Sequence, residues 1–132
     1  MILIDVNIFM YAAGAAHPHK APSARLLERV ARGEVAATIN AETLQEIMHR
    51  YRAIKRWTDG RQVYDLARQL FPSVVPISGE MLDRARGLLD LHPALMARDA
   101  LHAAVVMHEG LDAICSYDHD FDVITGMSRV EP

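Results

Sequence analysis

Short apolar runs alternate along the chain with longer segments whose apolar residues recur every three or four positions. A short continuous apolar run is typical of a strand buried on both faces, whereas the longer spacing is typical of an amphipathic helix. Three runs predict buried strands, at residues 2–4, 35–39 and 113–115. We place a fourth strand, residues 74–77, at a sheet edge because Pro76 cannot donate to a strand ladder. A last short strand is expected near Val130.

Five helices are predicted between these strands. In the first, Pro22 suits the opening turn and Gly33 can end the helix. Asn40 and Ser78 are good N-caps for the second and fourth helices, and the third is expected over residues 58–70. The fifth, residues 97–108, is apolar on nearly every side, so we expect it to be largely buried. The expected core-facing stripes of the first, second and fourth helices are Leu26, Leu27 and Val30; Leu44, Ile47, Met48 and Tyr51; and Leu82, Ala85 and Leu89.

Strands that alternate with helices predict a parallel sheet joined by right-handed crossovers and covered by helices on both sides. We therefore expect a three-layer α/β/α sandwich around a central, mostly parallel sheet of four to five strands. In such folds ligands bind beyond the carboxyl ends of the strands, where the strand order reverses. Functional residues should then follow strands directly or lie on the helices that flank this edge.

The composition is that of a soluble globular protein: 51% of the residues are hydrophobic, 23% are charged and only 6% are aromatic. A chain of 132 residues is expected to form a single domain, residues 1–132, with an aliphatic core. We expect no signal peptide, and no run approaches the roughly 18 to 20 apolar residues of a membrane span. The lone Cys115 excludes an internal disulfide and fits a reducing compartment. We therefore expect a cytoplasmic protein with no membrane partner.

The formal net charge of −3 argues mildly against a nucleic-acid partner, but the charges are unevenly distributed. Residues 49–57 hold four Lys or Arg side chains, two aromatic residues and no acid, whereas residues 116–122 hold three Asp and no Lys or Arg. Such a chain can carry a basic face beside an acidic pocket. The basic residues Arg50, Arg52, Lys55 and Arg56 are candidates for contacts with RNA phosphates, with a solvated helix face as the equally weighted alternative.

Four carboxylates stand where the fold requires functional residues. Asp5 directly follows the first strand, and Asp118 follows the strand that ends at Cys115. Glu46 lies on the helix after the second strand, and Asp99 lies in the first turns of the most apolar helix. A charge in that helix is costly unless it has a partner. A divalent cation, Mg²⁺ or Mn²⁺, would relieve the repulsion among convergent carboxylates and could activate water against a phosphodiester.

Each carboxylate also has an ordinary structural explanation. Asp5 can be a turn residue with Asn7 as the N-cap of a short helix. Glu46 can pair with Arg50 four residues later, and Asp99 can simply favour the helix dipole. Asp118 can belong to a polar turn. Taken together, the four positions favour a shared site more than any one of them does.

Four segments, taken in order, resemble the PIN-domain family, and specifically the VapC-type toxins of toxin–antitoxin pairs. The segments are residues 2–7 (ILIDVN), 40–47 (NAETLQEI), 98–104 (RDALHAA) and 115–122 (CSYDHDFD). The resemblance covers nearly the whole chain and implies a PIN-like α/β fold and a metal-dependent endoribonuclease. It makes Asp5, Glu46, Asp99 and Asp118 the acidic quartet, with Asp5, Asp99 and Asp118 as ligands of Mg²⁺ or Mn²⁺.

The resemblance also implies supporting residues and partners. Asn7 and Ser116 match positions that support the site by hydrogen bonding, and Asp122 matches a less regular position near the ion. Glu42, one turn before Glu46, is the rival for the helix acid, and His102 is near enough in sequence to Asp99 to touch the site. The family further implies an RNA substrate, a homodimer and a cognate antitoxin, for which the apolar stripe of Tyr51, Ile54 and Trp57 is a candidate surface. That stripe can equally be part of the core.

Two other functions remain open from the sequence. One is a non-catalytic PIN-like module that binds RNA or protein and uses the metal only structurally. The other is a metal-dependent phosphomonoesterase, which the opening Asp5-Val6-Asn7 suggests less strongly because Asn7 cannot act as a general acid.

Overall fold

A computed structural model describes residues 1–132 and contains one parallel sheet with helices on both faces. The strands are β1 (Ile2–Ile4), β2 (Ala37–Thr38), β3 (Ala113–Cys115) and β4 (Arg129–Val130). The helices are α1 (Val6–Ala13), α2 (Lys20–Ala31), α3 (Ala41–Ala53), α4 (Trp57–Leu70), α5 (Gly79–Leu91) and α6 (Ala97–Glu109), and a short 3₁₀ helix spans His119–Val123. None of the helices is long and apolar enough to cross a membrane.

The strand order is β2-β1-β3-β4, and every pair is parallel. In the central pair, Leu3 lies opposite Ile114 and Ile4 opposite Cys115. The chain moves from β1 outward to β2 and then crosses back to β3 on the other side of β1. The order therefore reverses between β1 and β3, which is where such folds place their binding crevice. This architecture confirms the predicted α/β fold with a central parallel sheet, which has four strands.

Alternate residues of the central strands face opposite helical layers. Leu3 and Ile114 pack against α5 and α6 in one apolar cluster, whereas Ile4 and Cys115 pack against α1, α2, α3 and α4 in another. Ile4, Ile114 and Cys115 have no exposed surface. The continuous apolar runs of the sequence are thus explained by burial of the strands on both sides.

Polar residues at the helix starts and one glycine set the helix boundaries. The Asn40 side chain accepts a hydrogen bond from the Thr43 amide at 2.9 Å, and the Ser78 hydroxyl accepts one from the Met81 amide at 3.2 Å. Helix α6 ends at Gly110, whose φ of 63° lies in the left-handed region. The predicted N-caps of α3 and α5 are therefore confirmed.

Two of the predicted strands differ from the structure. The run at residues 35–39 contributes only two residues to the sheet, and residues 74–77 form no strand. Instead, Val75 makes a single parallel bridge to Asn40, just beyond the end of β2. The Val75 amide donates to Ile39 and its carbonyl accepts from Ala41, after which Pro76 offers no further donor. The edge position of this segment was correct, but its assignment as a strand was wrong.

The core-facing stripe of α5 is displaced by one position from its prediction. Met81, Ala85 and Leu88 are buried, while Leu82 is 51% exposed. The two stripes have nearly the same spacing, so the periodicity alone does not choose between them; the docking of α5 on α6 does. On α3, Met48 is likewise exposed instead of buried.

Helices α3 and α4 approach closely at Gly60. A Cβ atom at this position would lie 2.4 Å from the Cβ of Tyr51. Glycine is therefore required at this contact by space, not by backbone conformation. The close approach buries Tyr51 in the core, which leaves Ile54 as the exposed member of the predicted antitoxin stripe.

Candidate active site and metal centre

The four carboxylates identified from the sequence line one cavity at the carboxyl edge of the sheet. Asp5 follows β1, Glu46 projects from α3, Asp99 stands in the first turn of α6, and Asp118 follows β3. Asn7, Tyr11, Arg50 and Tyr117 complete the lining. The cavity lies over the β1–β3 switch point, so the topology brings together acids that are up to 113 positions apart in the sequence.

Asp5 is held in one orientation by two donors. Its side chain caps α1 by accepting a hydrogen bond from the Val6 amide at 2.7 Å. Its other oxygen accepts from the Ser116 hydroxyl at 2.5 Å. Asp5, and not Asn7, is therefore the N-cap of this helix. The carboxylate is only 5% exposed, and burial raises its pKa above the ordinary aspartate value.

The Ser116 hydroxyl determines the orientation of Asn7. The Ser116 hydroxyl donates its single proton to Asp5 and accepts a hydrogen bond from the Asp118 amide at 2.9 Å. The Asn7 group that lies 3.0 Å from the same hydroxyl must therefore be its NH₂ donor. As a consequence the Asn7 carbonyl oxygen is buried without a hydrogen-bond partner. A buried unpaired acceptor at the wall of an acidic cavity suits a water molecule held by a bound cation.

Glu46 is held by a histidine from the opposite layer. The Nε2 of His102 lies 2.6 Å from Oε1 of Glu46, and both side chains are almost completely buried. The exposed Arg50 lies farther away, 3.8 Å from the other oxygen. Burial alone would raise the pKa of Glu46, but the His102 hydrogen bond and the nearby cations together lower it. Glu46 is thus a buried anion with a dedicated donor, and the ion pair with Arg50 is secondary.

Asn40 sets the protonation of this histidine. The carbonyl oxygen of Asn40 accepts from the amide and hydroxyl of Thr43, so its NH₂ group faces Nδ1 of His102 at 3.0 Å. An NH₂ donor requires an unprotonated Nδ1 as its acceptor. The Asn40 amide therefore favours the neutral imidazole with its proton on Nε2. The surrounding carboxylates act in the opposite direction, because they raise the pKa of His102 despite its burial.

The remaining charges repel one another. The pKa of Asp99 is raised to about 6, first by burial and then by the negative charges of Asp118 and Asp5. Glu42, the rival acid of α3, does not line the cavity, and burial and repulsion from Glu46 raise its pKa as well. Of the two acids on α3, only Glu46 lines the cavity.

The donor set fits a hard divalent cation. Oxygen and nitrogen atoms of Asp5, Glu46 and His102 lie within 4.8 Å of one another, and so do carboxylate oxygens of Asp99, Asp118 and Asp120. Carboxylates with retained water are the ligands that Mg²⁺ and Mn²⁺ prefer. Because the Nε2 of His102 faces Glu46, His102 acts as a hydrogen-bond donor and leaves the oxygens to the ion. The residues present are therefore suited to hold such a cation.

Of the predicted supporting residues, Asp122 does not line the cavity. Asp122 is exposed and bonds to Arg129 at 2.8 Å and His119 at 3.1 Å, outside the cavity lining. The side chain that joins Asp99 and Asp118 is Asp120. The alternate-Asp pattern of residues 118–122 contains all three acids, but the 3₁₀ turn decides which of them face the site.

The four candidate RNA-binding cations do not line one cavity. Arg50 lines the carboxylate cavity, whereas Arg52 lies 5.4 Å from the centroid of the Trp57 ring. Arg56 is paired with Asp59 at 2.7 Å, and Lys55 follows the end of α3 with a positive φ of 60°. Of these cations, only Arg50 is positioned at the cavity.

The comparisons with known proteins agree on one family. The PIN-domain family model matches residues 2–126. Ribonuclease VapC13 of Mycobacterium tuberculosis is 42% identical over 130 residues, which cover 98% of this chain and 99% of the relative. Ribonuclease VapC23 of the same species is 34% identical and covers 90% of this chain and 94% of its own.

Two solved structures share the fold. VapC20 of Mycobacterium tuberculosis, a Sarcin-Ricin loop cleaving toxin, superposes with a TM-score of 0.74 at 18% identity and full coverage of both chains. The VapBC2 structure from Rickettsia felis, bound to a promoter DNA fragment, gives a TM-score of 0.76 at 18% identity, with 99% and 98% coverage. The sequence match and the shared fold lead to the same conclusion: the chain belongs to the PIN-domain family, among the VapC ribonucleases.

Proposed function

We propose that this protein is a metal-dependent endoribonuclease toxin that hydrolyses RNA phosphodiester bonds and is neutralised by a cognate antitoxin. The observation that carries the proposal is the convergence of Asp5, Glu46, Asp99 and Asp118 from four separate elements into one cavity. A structural role would call for acids paired with bases, whereas here Asp99 is surrounded by other acids and its pKa is raised to about 6. Relatives that carry the name ribonuclease match the chain from end to end.

The proposed ligands are Asp5, Asp99 and Asp118, and the proposed ion is Mg²⁺ or Mn²⁺. When bound, such an ion supplies a Lewis acid that can activate water and stabilise charge on the phosphate. The chain's own residues orient the ligands: Ser116 and the Val6 amide hold Asp5, and His102 holds Glu46. The Asn7 oxygen provides an acceptor for an ordered water, and Arg50 offers a cation for the substrate phosphate.

We infer that residues 1–132 act as a single nuclease domain, that the active form is a homodimer and that an antitoxin segment covers part of it. A solved toxin–antitoxin complex from Klebsiella pneumoniae shares the fold, with a TM-score of 0.69. The exposed Ile54 lies in a groove whose apolar lining includes Met10, Ala13 and Leu66. This groove, between α1 and the α3–α4 pair, is the proposed seat of an apolar antitoxin helix, in the manner of other helix-in-groove interfaces.

The decisive experiment is a cleavage assay with purified protein that is free of co-expressed antitoxin. Total RNA is incubated with the parent protein in Mn²⁺, in Mg²⁺ and in EDTA, and with Asp99→Asn in parallel. Asp83→Asn serves as the matched control, since Asp83 is an exposed acid on α5 outside the cavity. We expect discrete fragments that require the cation, disappear with Asp99→Asn and persist with Asp83→Asn.

The same preparation separates the alternatives. Thermal denaturation with increasing Mn²⁺ should stabilise the parent, by about 2.7 kcal/mol when the free ion reaches a hundred times its dissociation constant. Stabilisation without cleavage of any RNA would favour the non-catalytic binding module. Release of phosphate from a generic monoester, with RNA left intact, would favour the phosphomonoesterase.

A further inference from the structure

Four aromatic rings pack together at the rim of the carboxylate cavity. The rings of His19 and Tyr117 are stacked, with centroids 3.6 Å apart and planes 10° apart. Tyr11 meets Tyr117 edge-to-face at 5.4 Å. The His17 ring lies 4.6 Å from Tyr11 and 4.8 Å from His19. We call Tyr11, His17, His19 and Tyr117 the aromatic rim.

The aromatic rim is built into the site itself. Tyr117 stands between Ser116 and Asp118 in the chain, and Tyr11 lies on the helix that Asp5 caps. Both tyrosine rings line the cavity. The chain has only four tyrosines, so half of them stand at this one small site.

Burial in the core does not account for these rings. His17 is exposed, while Tyr11, His19 and Tyr117 are half-buried. The core holds Phe9, Phe71 and Phe121, whereas none of the four rim rings is buried, and of the two rim tyrosines only Tyr117 packs against the core. Part of each ring is therefore exposed to solvent beside the cavity.

Electrostatics around the cavity explain what such rings can contribute. Four carboxylates line the cavity, and Arg50 is the one cation among its lining residues. A polyanion approaching this wall is repelled by most of the charges it meets until a cation is bound. Stacking between a base and an aromatic ring does not depend on charge and tolerates any base, because every base has a π-face.

We propose that the aromatic rim is a stacking subsite for an unpaired nucleobase next to the scissile phosphate of a single-stranded RNA segment. This inference rests on the proposed ribonuclease function and assigns the residues that hold the base at the same site. A base within a duplex is already stacked on its neighbours and its face is hidden, so the subsite selects single-stranded loops and ends. The tyrosines hold the base while the carboxylates and Arg50 face the adjoining phosphate.

The test measures RNA binding separately from cleavage, in the Asp99→Asn background. The probe is a short single-stranded RNA of mixed sequence with one 2-aminopurine, whose fluorescence is quenched by stacking. We expect Tyr117→Leu to weaken binding by about 5- to 150-fold and to abolish the protein-induced quenching. Tyr117→Phe keeps a ring and should bind more tightly than Tyr117→Leu. Tyr64→Leu is the matched control, because Tyr64 is half-buried on α4 outside the cavity.

A second variant protects the test against misfolding. His19→Ala removes the ring stacked on Tyr117 without altering the segment that carries Ser116 and Asp118, so it should also reduce affinity and quenching. Circular dichroism and thermal denaturation establish that each variant is folded.

Three results would overturn the inference. The first is that Tyr117→Leu and His19→Ala bind the single-stranded RNA as tightly as the parent. The second is that the parent binds the same RNA equally well as a duplex, and the third is that the two variants lose antitoxin binding but keep RNA binding. The last would assign the rim to the antitoxin. Failure of the ribonuclease proposal looks different, since the parent protein would then cleave no RNA with any cation. If the parent cleaves RNA and the Tyr117→Leu variant cleaves it at the same rate, the subsite alone is refuted.

Discussion

The Nε2 atom of His102 lies 2.6 Å from Oε1 of Glu46, which places a hydrogen-bond donor from α6 against a carboxylate from α3 inside the protein. Neither side chain has more than a few per cent of its surface exposed. A buried carboxylate without a donor would lose its hydration with no compensation. This contact therefore fixes both the ionisation and the direction of the acid that α3 contributes to the cavity.

Replacement of His102 should affect both the stability of the protein and its cleavage of RNA. His102→Leu leaves the Glu46 carboxylate without its donor and should lower the free energy of unfolding by about 1–3 kcal/mol or more. It should also reduce RNA cleavage by about 10- to 100-fold, as loss of an outer-shell partner commonly does. His102→Gln offers an NH₂ donor at a similar reach and should recover part of both losses. Urea denaturation and initial cleavage rates provide the two readings, and equal rates for Leu and Gln would contradict the positioning role.

The Asn40 amide gives a prediction about the histidine proton. Asn40→Asp keeps a side chain that caps α3 about as well, but it replaces the NH₂ group facing Nδ1 with an acceptor oxygen. His102 should then carry a proton on Nδ1, and ¹⁵N NMR of the imidazole should report this change. In the parent protein loaded with Mg²⁺, the same spectrum should show a proton on Nε2 only. Identical ring spectra for parent and variant would show that Asn40 does not set the tautomer.

The raised pKa of Asp99 predicts how stability depends on pH in the absence of a cation. The carboxyl group of Asp99 has a pKa of about 6 in the fold and an ordinary value of 3.8. Between these values the folded state holds a proton that the unfolded state has released, so stability rises as pH falls through this window. In EDTA, Asp99→Asn should therefore be more stable than the parent at pH 7, and the difference should shrink toward pH 4. Urea midpoints across this range measure it, and a difference independent of pH would contradict the shift.

The contact at Gly60 predicts a steric effect on the fold. Gly60→Ala places a Cβ against Tyr51, and overpacking of this kind costs about 1–3 kcal/mol. Gly87→Ala is the matched control on α5, where an added Cβ meets nothing within 4 Å. That substitution should be stabilising by about 0.5–1 kcal/mol, because alanine loses less backbone entropy in a helix. Thermal denaturation compares the two, and a Gly60→Ala protein as stable as the parent would show that the helices can move apart.

Much of the architecture could be predicted from local patterns along the chain. The buried strands β1 and β3, the N-caps Asn40 and Ser78, and the position of Asp5 and Asp118 after their strands all follow from residues that are neighbours in sequence. Such features depend on backbone preference and on the spacing of apolar residues, which a sequence displays directly.

Several features of the site depend on contacts that no local pattern contains. His102 meets Glu46 across 56 positions and Asn40 across 62. The choice of Met81 over Leu82 for the core turns on a rotation of about one residue. The 3₁₀ turn places Asp120, and not Asp122, beside Asp99 and Asp118. The aromatic rim joins α1, the loop after it and Tyr117, two positions after the end of β3.

The amino-acid sequence by itself thus determined the order and type of the main elements, the family and the four acids. Each of these can be identified from a short segment of the chain or from the position of a residue within such a segment. The tertiary structure alone decided which partners orient those acids and which rings stand beside them. Only packing of the two helical layers across the sheet brings α3 and α6 together at one edge, and the free energy of that packing is spread over the whole core.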